Sequence, residues 1–163
     1  MHPAVKEFVK ETILNHWRDD YKTVMDFGSR DINGNVKNLL PPGTKYCGVD
    51  KIKGPNVNLV ANTNDLKDYI QDYSVDVVIC TETLEHDRNP RLTVMEAKRI
   101  LKKGGLLIIT CAGVGRPEHD KKLCGGYYRN ISEEEMIAWT RDFEIPYAEI
   151  TLDSRDLRFW GIK

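Results

Sequence analysis

Short apolar runs separated by polar or amphipathic segments recur along the chain. They predict β-strands at residues 24–27, 46–49, 57–60, 75–80 and 106–110. The run at 75–80 is almost continuously apolar, which is typical of a parallel strand buried on both faces. Strands that alternate with helical segments favour a parallel sheet with right-handed crossovers.

Amphipathic spacing predicts helices between and around these strands. Residues 3–18 place apolar side chains on one face, and residues 65–71 are predicted to form one or two helical turns. A further helix is expected to begin after Asn89, a favoured N-cap residue, with Pro90 in its first turn. Gly104-Gly105 is expected to end that helix.

The C-terminal part of the chain predicts one more helix and a β-hairpin. Ser132 and Glu135 form the S-x-x-E pattern of a capping box, so a helix is expected to begin there and run to about residue 143. Its predicted inward-facing residues are Met136, Ile137, Trp139 and Phe143. Residues 147–152 and 157–162 are joined by a short turn, which forces an antiparallel pair at one edge of the sheet.

Length and composition narrow the class of protein. Residues 1–163, of which 40% are hydrophobic, are expected to form one domain, with the first helix (residues 1–20) covering it. The net charge is −1, so neither stable binding to nucleic acid nor attraction to a membrane surface is expected. No apolar run is long enough to span a membrane, and the scattered cysteines are typical of reduced thiols. A cytoplasmic location is therefore predicted.

The segment at residues 23–50 combines a glycine turn with an acidic residue at the end of the next strand. Gly28 follows the first strand, and its missing Cβ lets a ligand approach the backbone. Asp50 lies 22 positions later, a spacing that suits hydrogen bonds to both hydroxyls of a ribose. Gly34 does not fit the G-x-G-x-x-G fingerprint, so a nicotinamide dinucleotide is disfavoured. The pattern favours a nucleoside site over an ordinary strand–turn–helix junction.

Four segments then carry a family resemblance: VMDFGSRDINGN, YCGVD, VDVVICTETLEH and AKRILKKGGLLIITCAG. Together they resemble class I S-adenosylmethionine-dependent methyltransferases, and more narrowly the type 11 methyltransferase-domain group. The resemblance implies an α/β fold, a Rossmann-like three-layer sandwich with a seven-stranded, mostly parallel sheet and an antiparallel last strand. It also implies S-adenosyl-L-methionine as the cofactor and S-adenosyl-L-homocysteine as the product.

The same resemblance assigns roles to residues of the first two strands. Asp26, Gly28 and Ser29 match the motif whose backbone and polar groups hold the methionine part of the cofactor. Asp50 matches the acid that binds the ribose diol, and Lys51 follows it beside the adenine.

The resemblance also assigns roles to two pairs of residues, one after the third strand and one at the end of the fourth. Asn62 and Thr63 stand near the adenine amino group, although Asn62 replaces the aspartate that the family usually has there. Cys80 and Thr81 end the fourth strand, next to the methyl-donating centre. Gly34 departs from the commoner G-x-G spacing of the family.

Candidates for a general base follow the fourth and fifth strands. His86, preceded by Glu85, would face the acceptor, and histidine titrates near neutral pH. The alternative is that Glu85 packs locally and His86 only shapes the pocket. His119 is a second candidate, and Tyr127 and Tyr128 could close over an acceptor, or instead anchor the loop to the core.

The long loop at residues 113–130 has two alternative readings. Its positive residues outnumber its negative ones by two, which would favour an anionic acceptor, although a solvated face is the commoner reason for such charges. The charged residues are Arg116, Lys121, Lys122 and Arg129 against Glu118 and Asp120, with Arg129 also a candidate acceptor contact. Cys111, His119 and Cys124 are ligand types that zinc accepts, but their spacing matches no paired pattern, so no metal is expected.

The resemblance implies direct in-line transfer of a methyl group to a small acceptor or to one presented by a partner. A small molecule or a glycan- or nucleotide-like compound is the expected acceptor, because a chain of 163 residues leaves little material beyond the core. A partner chain or a homo-oligomer is also considered. The alternative function is a non-catalytic, methyltransferase-like binding subunit of a larger assembly.

Overall fold

The computed structural model describes residues 3–32, 34–119, 122, 124–151 and 153–163. Its centre is a seven-stranded sheet in the order β3-β2-β1-β4-β5-β7-β6. The strands are β1 (Thr23–Phe27), β2 (Lys45–Asp50), β3 (Leu59–Val60), β4 (Val75–Thr81), β5 (Leu101–Ala112), β6 (Glu144–Ile150) and β7 (Asp156–Ile162). Strand β7 is antiparallel to both of its neighbours, and the other pairs are parallel. The predicted fold class is confirmed.

Helices cover both faces of this sheet. They are α1 (Pro3–His16), α2 (Pro90–Ile100) and α3 (Glu133–Thr140). Successive residues of β4 point to opposite faces, so Val77 belongs to the apolar cluster with α1 and Val78 to the cluster with α2 and α3. Both side chains are fully buried, which explains the continuous apolar run that the sequence shows there.

The boundary between α2 and β5 differs from the prediction. The helix ends at Ile100, and Leu101 is already extended and paired with Val75 of β4. The pairing register then shifts before Leu106, and Gly104 adopts a φ of +76° within this irregular stretch. The glycines therefore shape the start of a strand, because sheet pairing outweighs the local helical preference of the preceding residues.

Four smaller differences concern short or exposed segments. Residues 65–71 form turns rather than a helix, with a single helix-like bond from the Ile70 N–H to the Leu66 carbonyl at 2.8 Å. Ile137 was predicted to face inward but is 51% exposed, whereas Thr140 is buried in its place. Strand β3 has only two residues. The Asn89 side chain makes no capping hydrogen bond.

The C-terminal elements follow the prediction closely. The Ser132 hydroxyl accepts the Glu135 N–H at 3.2 Å and the Glu135 carboxylate accepts the Ser132 N–H at 3.1 Å, so the capping box is present. Strands β6 and β7 form the expected antiparallel pair, with β6 at the edge of the sheet and β7 beside β5. Within the described ranges, no helix combines the length and the apolarity needed to cross a bilayer.

Candidate functional site

A cavity of about 510 Å³ opens at the carboxyl ends of β1, β2 and β4. The chain leaves β1 toward β2 on one side and returns to β4 on the other, so the cavity lies where the strand order reverses. It is lined by many of the predicted site residues, namely Asp26, Gly28, Ser29, Asp50, Lys51, Asn62, Thr63, Thr81, His86, His119 and Tyr127. The predicted residues that do not line it are Cys80, Glu85, Tyr128 and Arg129.

Gly28 forms the turn that gives the cavity its depth. Its φ is +74°, and its N–H donates to the Val49 carbonyl at 2.8 Å, which ties the turn to β2. A Cβ at this position would lie 1.9 Å from the Thr83 hydroxyl oxygen. Only glycine fits here, because both the backbone conformation and the neighbouring side chain exclude a larger residue.

Asp50 ends β2 and turns its carboxylate back toward the glycine turn. One carboxylate oxygen accepts the Ile52 N–H at 2.8 Å, and the other accepts the Arg30 N–H at 3.4 Å. A carboxylate offers about four acceptor positions, so these two bonds orient the group and leave capacity for hydroxyl donors.

Asp26 lies beneath this turn and is 3% exposed. The Tyr46 hydroxyl donates to its carboxylate at 2.7 Å. Burial raises the pKa of Asp26 to about 7, and the nearby charge of Asp50 adds to that shift. Asp26 is therefore a carboxyl group that changes protonation near neutral pH.

The loop after Gly28 is organised by an acidic residue. The Asp31 carboxylate accepts the Gly34 N–H at 2.8 Å and an Asn35 amide N–H at 2.6 Å. Hydrogen bonds from Asn35 and Gly34 lower the pKa of Asp31, so it is charged at neutral pH. A fixed negative charge in this loop disfavours a pyrophosphate, in agreement with the sequence spacing.

Glu85 and His86 belong to a 3-10 turn at Leu84–His86 that follows β4. Glu85 is fully buried and one of its carboxylate oxygens accepts the Ala112 N–H at 3.2 Å. Burial, and then the charge of Glu82, raise the pKa of Glu85 well above its usual value. The His86 Nδ1 lies 3.1 Å from the Tyr127 carbonyl oxygen.

His119 approaches this turn from the loop after β5. Its Nε2 lies 3.9 Å from a carboxylate oxygen of Glu85. The rings of His86, His119 and Tyr128 pack edge to face, with centroids 5.2–5.8 Å apart. The structure therefore brings together four of the residues that the sequence proposed for catalysis or acceptor binding, although His119 and Tyr128 belong to a loop far along the chain from Glu85 and His86.

The loop at residues 113–131 covers one side of the cavity. The Arg129 N–H donates to the Glu85 carbonyl at 2.9 Å, and the Lys51 ammonium donates to the Cys124 carbonyl at 3.2 Å. The Arg88 guanidinium stacks over the Tyr127 ring at 5.0 Å. These contacts tie the loop to the turns after β2 and β4.

Two of the loop's arginines neutralise internal carboxylates. Arg116 pairs with Glu82 at 3.2 Å and with the fully buried Asp156, while Arg129 pairs with Glu135 at 3.0 Å. These contacts remove much of the positive excess that the sequence indicated for this loop. Lys121 and Asp120 lie outside the described residues.

Several lining residues were not singled out by the sequence. Glu82, Thr83, Asp87 and Arg88 flank the turn after β4 and face the cavity. The signal that could have identified them was the polar run immediately after an almost continuously apolar strand, because strand ends at this edge form the crevice. Glu82 has a φ of +50°, a conformation that non-glycine residues rarely adopt.

Comparison with known proteins agrees with this geometry. A family model described as a methyltransferase domain, of the type 11 group, matches residues 41–109. By sequence, no curated protein matches the chain.

Solved structures share the fold at low identity. A Burkholderia thailandensis 1,6-didemethyltoxoflavin-N1-methyltransferase, crystallised with its namesake compound and S-adenosylhomocysteine, is 14% identical. That match covers 99% of this chain and 78% of the other, with a TM-score of 0.72. A SAM-dependent methyltransferase from Archaeoglobus fulgidus is 12% identical over 97% of this chain and 94% of its own, with a TM-score of 0.68.

A third structure is the partner of the Trm112 methyltransferase activator in a complex from Haloferax volcanii. It is 18% identical, covers 95% of this chain and 87% of its own, and has a TM-score of 0.62. Residues 41–109 are thus similar to the methyltransferase domain of the type 11 group, and the chain shares its fold with S-adenosylmethionine-dependent methyltransferases.

Proposed function

We propose that the chain is an active methyltransferase that transfers a methyl group directly to a small or partner-presented acceptor. The observation that carries this proposal is a single cavity that joins the Gly28 turn and Asp50 to the side chains of His86 and His119. A nucleoside at the first pair would thus share one enclosed space with an acceptor at the second pair.

The residues of β1 and β2 suit the cofactor. Gly28 allows the tight turn that lines the cavity against Thr83, and the oriented carboxylate of Asp50 retains acceptor capacity for a ribose diol. We propose that Asp26 and Ser29 hold the methionine part, while Lys51, Asn62 and Thr63 surround the adenine. When bound, S-adenosylmethionine supplies a methyl group on a positively charged sulfur, which is a good leaving group.

The protein's remaining task is to align the acceptor and exclude water, which can contribute roughly 7–11 kcal/mol. His86 and His119 stand where an acceptor proton could be taken up, if the acceptor is a hydroxyl or a protonated amine. Tyr127 lines the same space. Tyr128 donates to the Pro117 carbonyl and Arg129 pairs with Glu135, so these two side chains hold the loop in place and do not line the cavity. Cys80 lies behind Thr81, which itself faces the cavity.

The acceptor class follows from the size of the cavity and from the neighbours. A space of about 510 Å³ shared with a nucleoside leaves room for a small molecule or one exposed group of a larger one. One solved structure of this fold binds the small molecule 1,6-didemethyltoxoflavin, and another is in complex with an activator protein, which supports proposing a small acceptor or a partner chain. We also propose that residues 1–163 form one domain, because α1 packs directly on the central sheet.

The alternative is a binding subunit without catalysis. A crowded or apolar acceptor side would favour it, and the polar lining of His86, His119, Glu82 and Asp87 argues against it. Both functions use the cofactor site, so measuring cofactor affinity does not distinguish them. Measuring the transfer of a labelled methyl group does.

Calorimetric titration with S-adenosylhomocysteine tests the cofactor site. Asp50→Ala removes hydrogen bonds to a charged acceptor, each worth about 1.5–3 kcal/mol, so affinity should fall about 100-fold or more. Asp68→Ala, which removes an exposed carboxylate away from the cavity, is the matched control and should bind as the wild type does. Equal affinity of wild type and Asp50→Ala would contradict the proposed site.

His86→Ala tests the acceptor side. It should lower the rate of methyl transfer in a screen of labelled acceptors more than it lowers affinity for S-adenosylhomocysteine. An unchanged rate would remove His86 from the proton-accepting role.

A further inference from the structure

We infer that Glu85, His86 and His119 form a binding site for a divalent transition-metal ion beside the acceptor end of the cavity. Each of the three residues offers one ligand atom, and these atoms all lie within 4.8 Å of one another. Their spacing in the sequence matches no metal-binding pattern, because His119 reaches the site from a separate loop.

The spacing suits a metal after a small adjustment. Ligand atoms about 2.1 Å from a zinc ion can be at most roughly 4.2 Å apart. The distance of 3.9 Å between the Glu85 carboxylate and the His119 Nε2 already meets this limit. The widest spacing in the group, at most 4.8 Å, needs a shift of about half an ångström by one side chain.

Glu85 supplies an independent reason for a cation. It is fully buried. Its Oε1, the oxygen that lies 3.9 Å from the His119 Nε2, also accepts the Ala112 N–H, while the other oxygen of the same carboxylate, Oε2, has no hydrogen-bond partner among the described residues. A buried carboxylate oxygen without a donor costs free energy, and such groups are normally paired or bound to a metal. Arg116 lies close enough to influence Glu85, but its ion pairs are with Glu82 and Asp156.

The two histidines are oriented as metal ligands usually are. The His86 Nδ1 lies 3.1 Å from the Tyr127 carbonyl oxygen, and the His119 Nδ1 lies 3.2 Å from the Pro117 carbonyl oxygen. A carbonyl oxygen only accepts, so each Nδ1 donates its proton to it, and Nε2 is the nitrogen of each ring that would bind the ion. Backbone carbonyls that fix the tautomer in this way are the common second layer of metal-bound histidines.

The ligand set selects the type of ion. Two imidazoles and one carboxylate suit zinc or iron(II), whereas magnesium and calcium prefer oxygen ligands. Zinc is the simplest occupant because methyl transfer needs no redox change. Three protein ligands leave a coordination position, and His86 and His119 both line the cavity.

The role of the ion rests on the proposed function. A metal at this position would bind an acceptor oxygen and lower its pKa, so that a hydroxyl could lose its proton near neutral pH. Under this inference His86 acts as a ligand, and the loss of rate expected for His86→Ala arises from loss of the ion. The rival explanation of the same geometry is an edge-to-face packing of His86, His119 and Tyr128 around a protonated Glu85.

Cobalt(II) is a suitable probe because its visible absorption reports nitrogen and oxygen ligation directly. Untagged protein is stripped with chelator, dialysed and titrated with Co²⁺, then with Zn²⁺. We expect one Co²⁺ per chain, displaced by one Zn²⁺, and a rise in the midpoint of thermal unfolding on Zn²⁺ addition. His119→Gln, on the covering loop, should weaken binding at least about tenfold. His16→Gln, which changes a histidine stacked on Trp160 away from the cavity, should bind as the wild type does.

Two results would overturn the inference. One is absence of Co²⁺ absorption in wild-type protein, and the other is equal affinity in wild type and His119→Gln. Glu85→Gln should also abolish binding, and if this buried substitution prevents folding, His119→Gln still decides the question. Titration of the metal-free protein with S-adenosylhomocysteine separates this inference from the proposed function, since cofactor binding should survive metal removal.

Discussion

The cavity has two walls that are held in different ways. The cavity floor, defined as Asp26, Gly28 and Asp50, belongs to the ends of β1 and β2 and is fixed by sheet pairing and by the bond from Gly28 to Val49. The covering loop, residues 113–131, is held by side-chain contacts and by single backbone bonds such as that from Arg129 to Glu85. The cofactor half is thus part of the core, while the covering loop lies outside the sheet and is joined to it at a few anchors such as the pair of Arg116 with Asp156.

This difference predicts that substitutions in the floor change the free energy of unfolding of the whole domain. Substitutions in the loop should change it mainly at residues that anchor the loop. The substitutions below test that distinction, beginning with the largest expected effect.

Asp26→Asn should remove a large pH dependence of stability. An aspartate ionises near pH 3.8 in the unfolded chain, whereas burial raises the pKa of Asp26 to about 7 in the folded protein. The folded state therefore holds a proton that the unfolded state has lost, so the stability that Asp26 contributes is full below pH 3.8 and falls as pH rises to about 7. At 1.36 kcal/mol per pH unit, the loss amounts to about 4 kcal/mol.

Urea unfolding of wild type and Asp26→Asn between pH 4 and pH 8 measures this effect. The difference in free energy of unfolding between the two proteins should change by about 4 kcal/mol over that range, because the contributions of other groups cancel. A constant difference would show that Asp26 is not buried as a protonated acid.

Arg116→Ala tests the strongest anchor of the covering loop. The substitution removes the cationic partner of the fully buried Asp156, and among the described residues the Ser154 hydroxyl at 2.5 Å would remain as a donor to its carboxylate. Removing one partner of a buried ion pair costs about 3 kcal/mol. Arg141→Ala is the matched control, because Arg141 pairs with Asp142 on the surface and should cost less than about 1 kcal/mol. Similar losses in the two variants, measured by urea unfolding, would contradict the buried pair.

Comparing Gly28→Ala with Gly43→Ala measures how much the close packing around Gly28 in the floor contributes to stability. Both glycines have positive φ values, +74° and +84°, so both substitutions strain the backbone by about 1–2 kcal/mol. A Cβ at Gly28 also overlaps Thr83, whereas a Cβ at Gly43 meets nothing within 4 Å. Gly28→Ala should therefore be less stable than Gly43→Ala by a further amount of about 2 kcal/mol. The opposite order in thermal unfolding would show that Thr83 moves aside easily.

The same contrast explains which parts of the molecule the sequence could predict. Gly28 and Asp50 were found because they follow strands whose spacing is regular, and parallel strand ends meet at one edge of the sheet. The capping box at Ser132 was found because its signal lies within four residues. These features depend on local pattern and on sheet geometry.

Tertiary contacts determine the features that the sequence did not predict. The segment before Gly104 has residues that favour a helix, yet Leu101 joins the sheet because it pairs with Val75. The approach of His119 to Glu85 and the pairing of Arg116 with Asp156 join segments distant in sequence. Periodicity carries no information on such contacts, since each depends on the path of a long loop.

Lys51→Met should have the smallest effect and tests whether the loop is coupled to the floor. Lys51 follows Asp50, and its ammonium donates to the Cys124 carbonyl at 3.2 Å across the cavity. Methionine keeps the length of the side chain and removes the donor, so an exposed hydrogen bond worth about 1 kcal/mol is lost. Affinity for S-adenosylhomocysteine should fall about threefold to fivefold, and the free energy of unfolding should fall by no more than about 1 kcal/mol.

Lys53→Met provides the control for Lys51→Met, because Lys53 is an exposed lysine on the same turn and does not line the cavity. Calorimetry on the two variants separates the bond to Cys124 from a general loss of positive charge near the site. Equal losses of affinity would mean that charge alone is responsible, and that the covering loop closes independently of the floor. A selective loss in Lys51→Met would mean that an occupied cofactor site helps to hold the covering loop in place, which would couple two walls that are otherwise built separately.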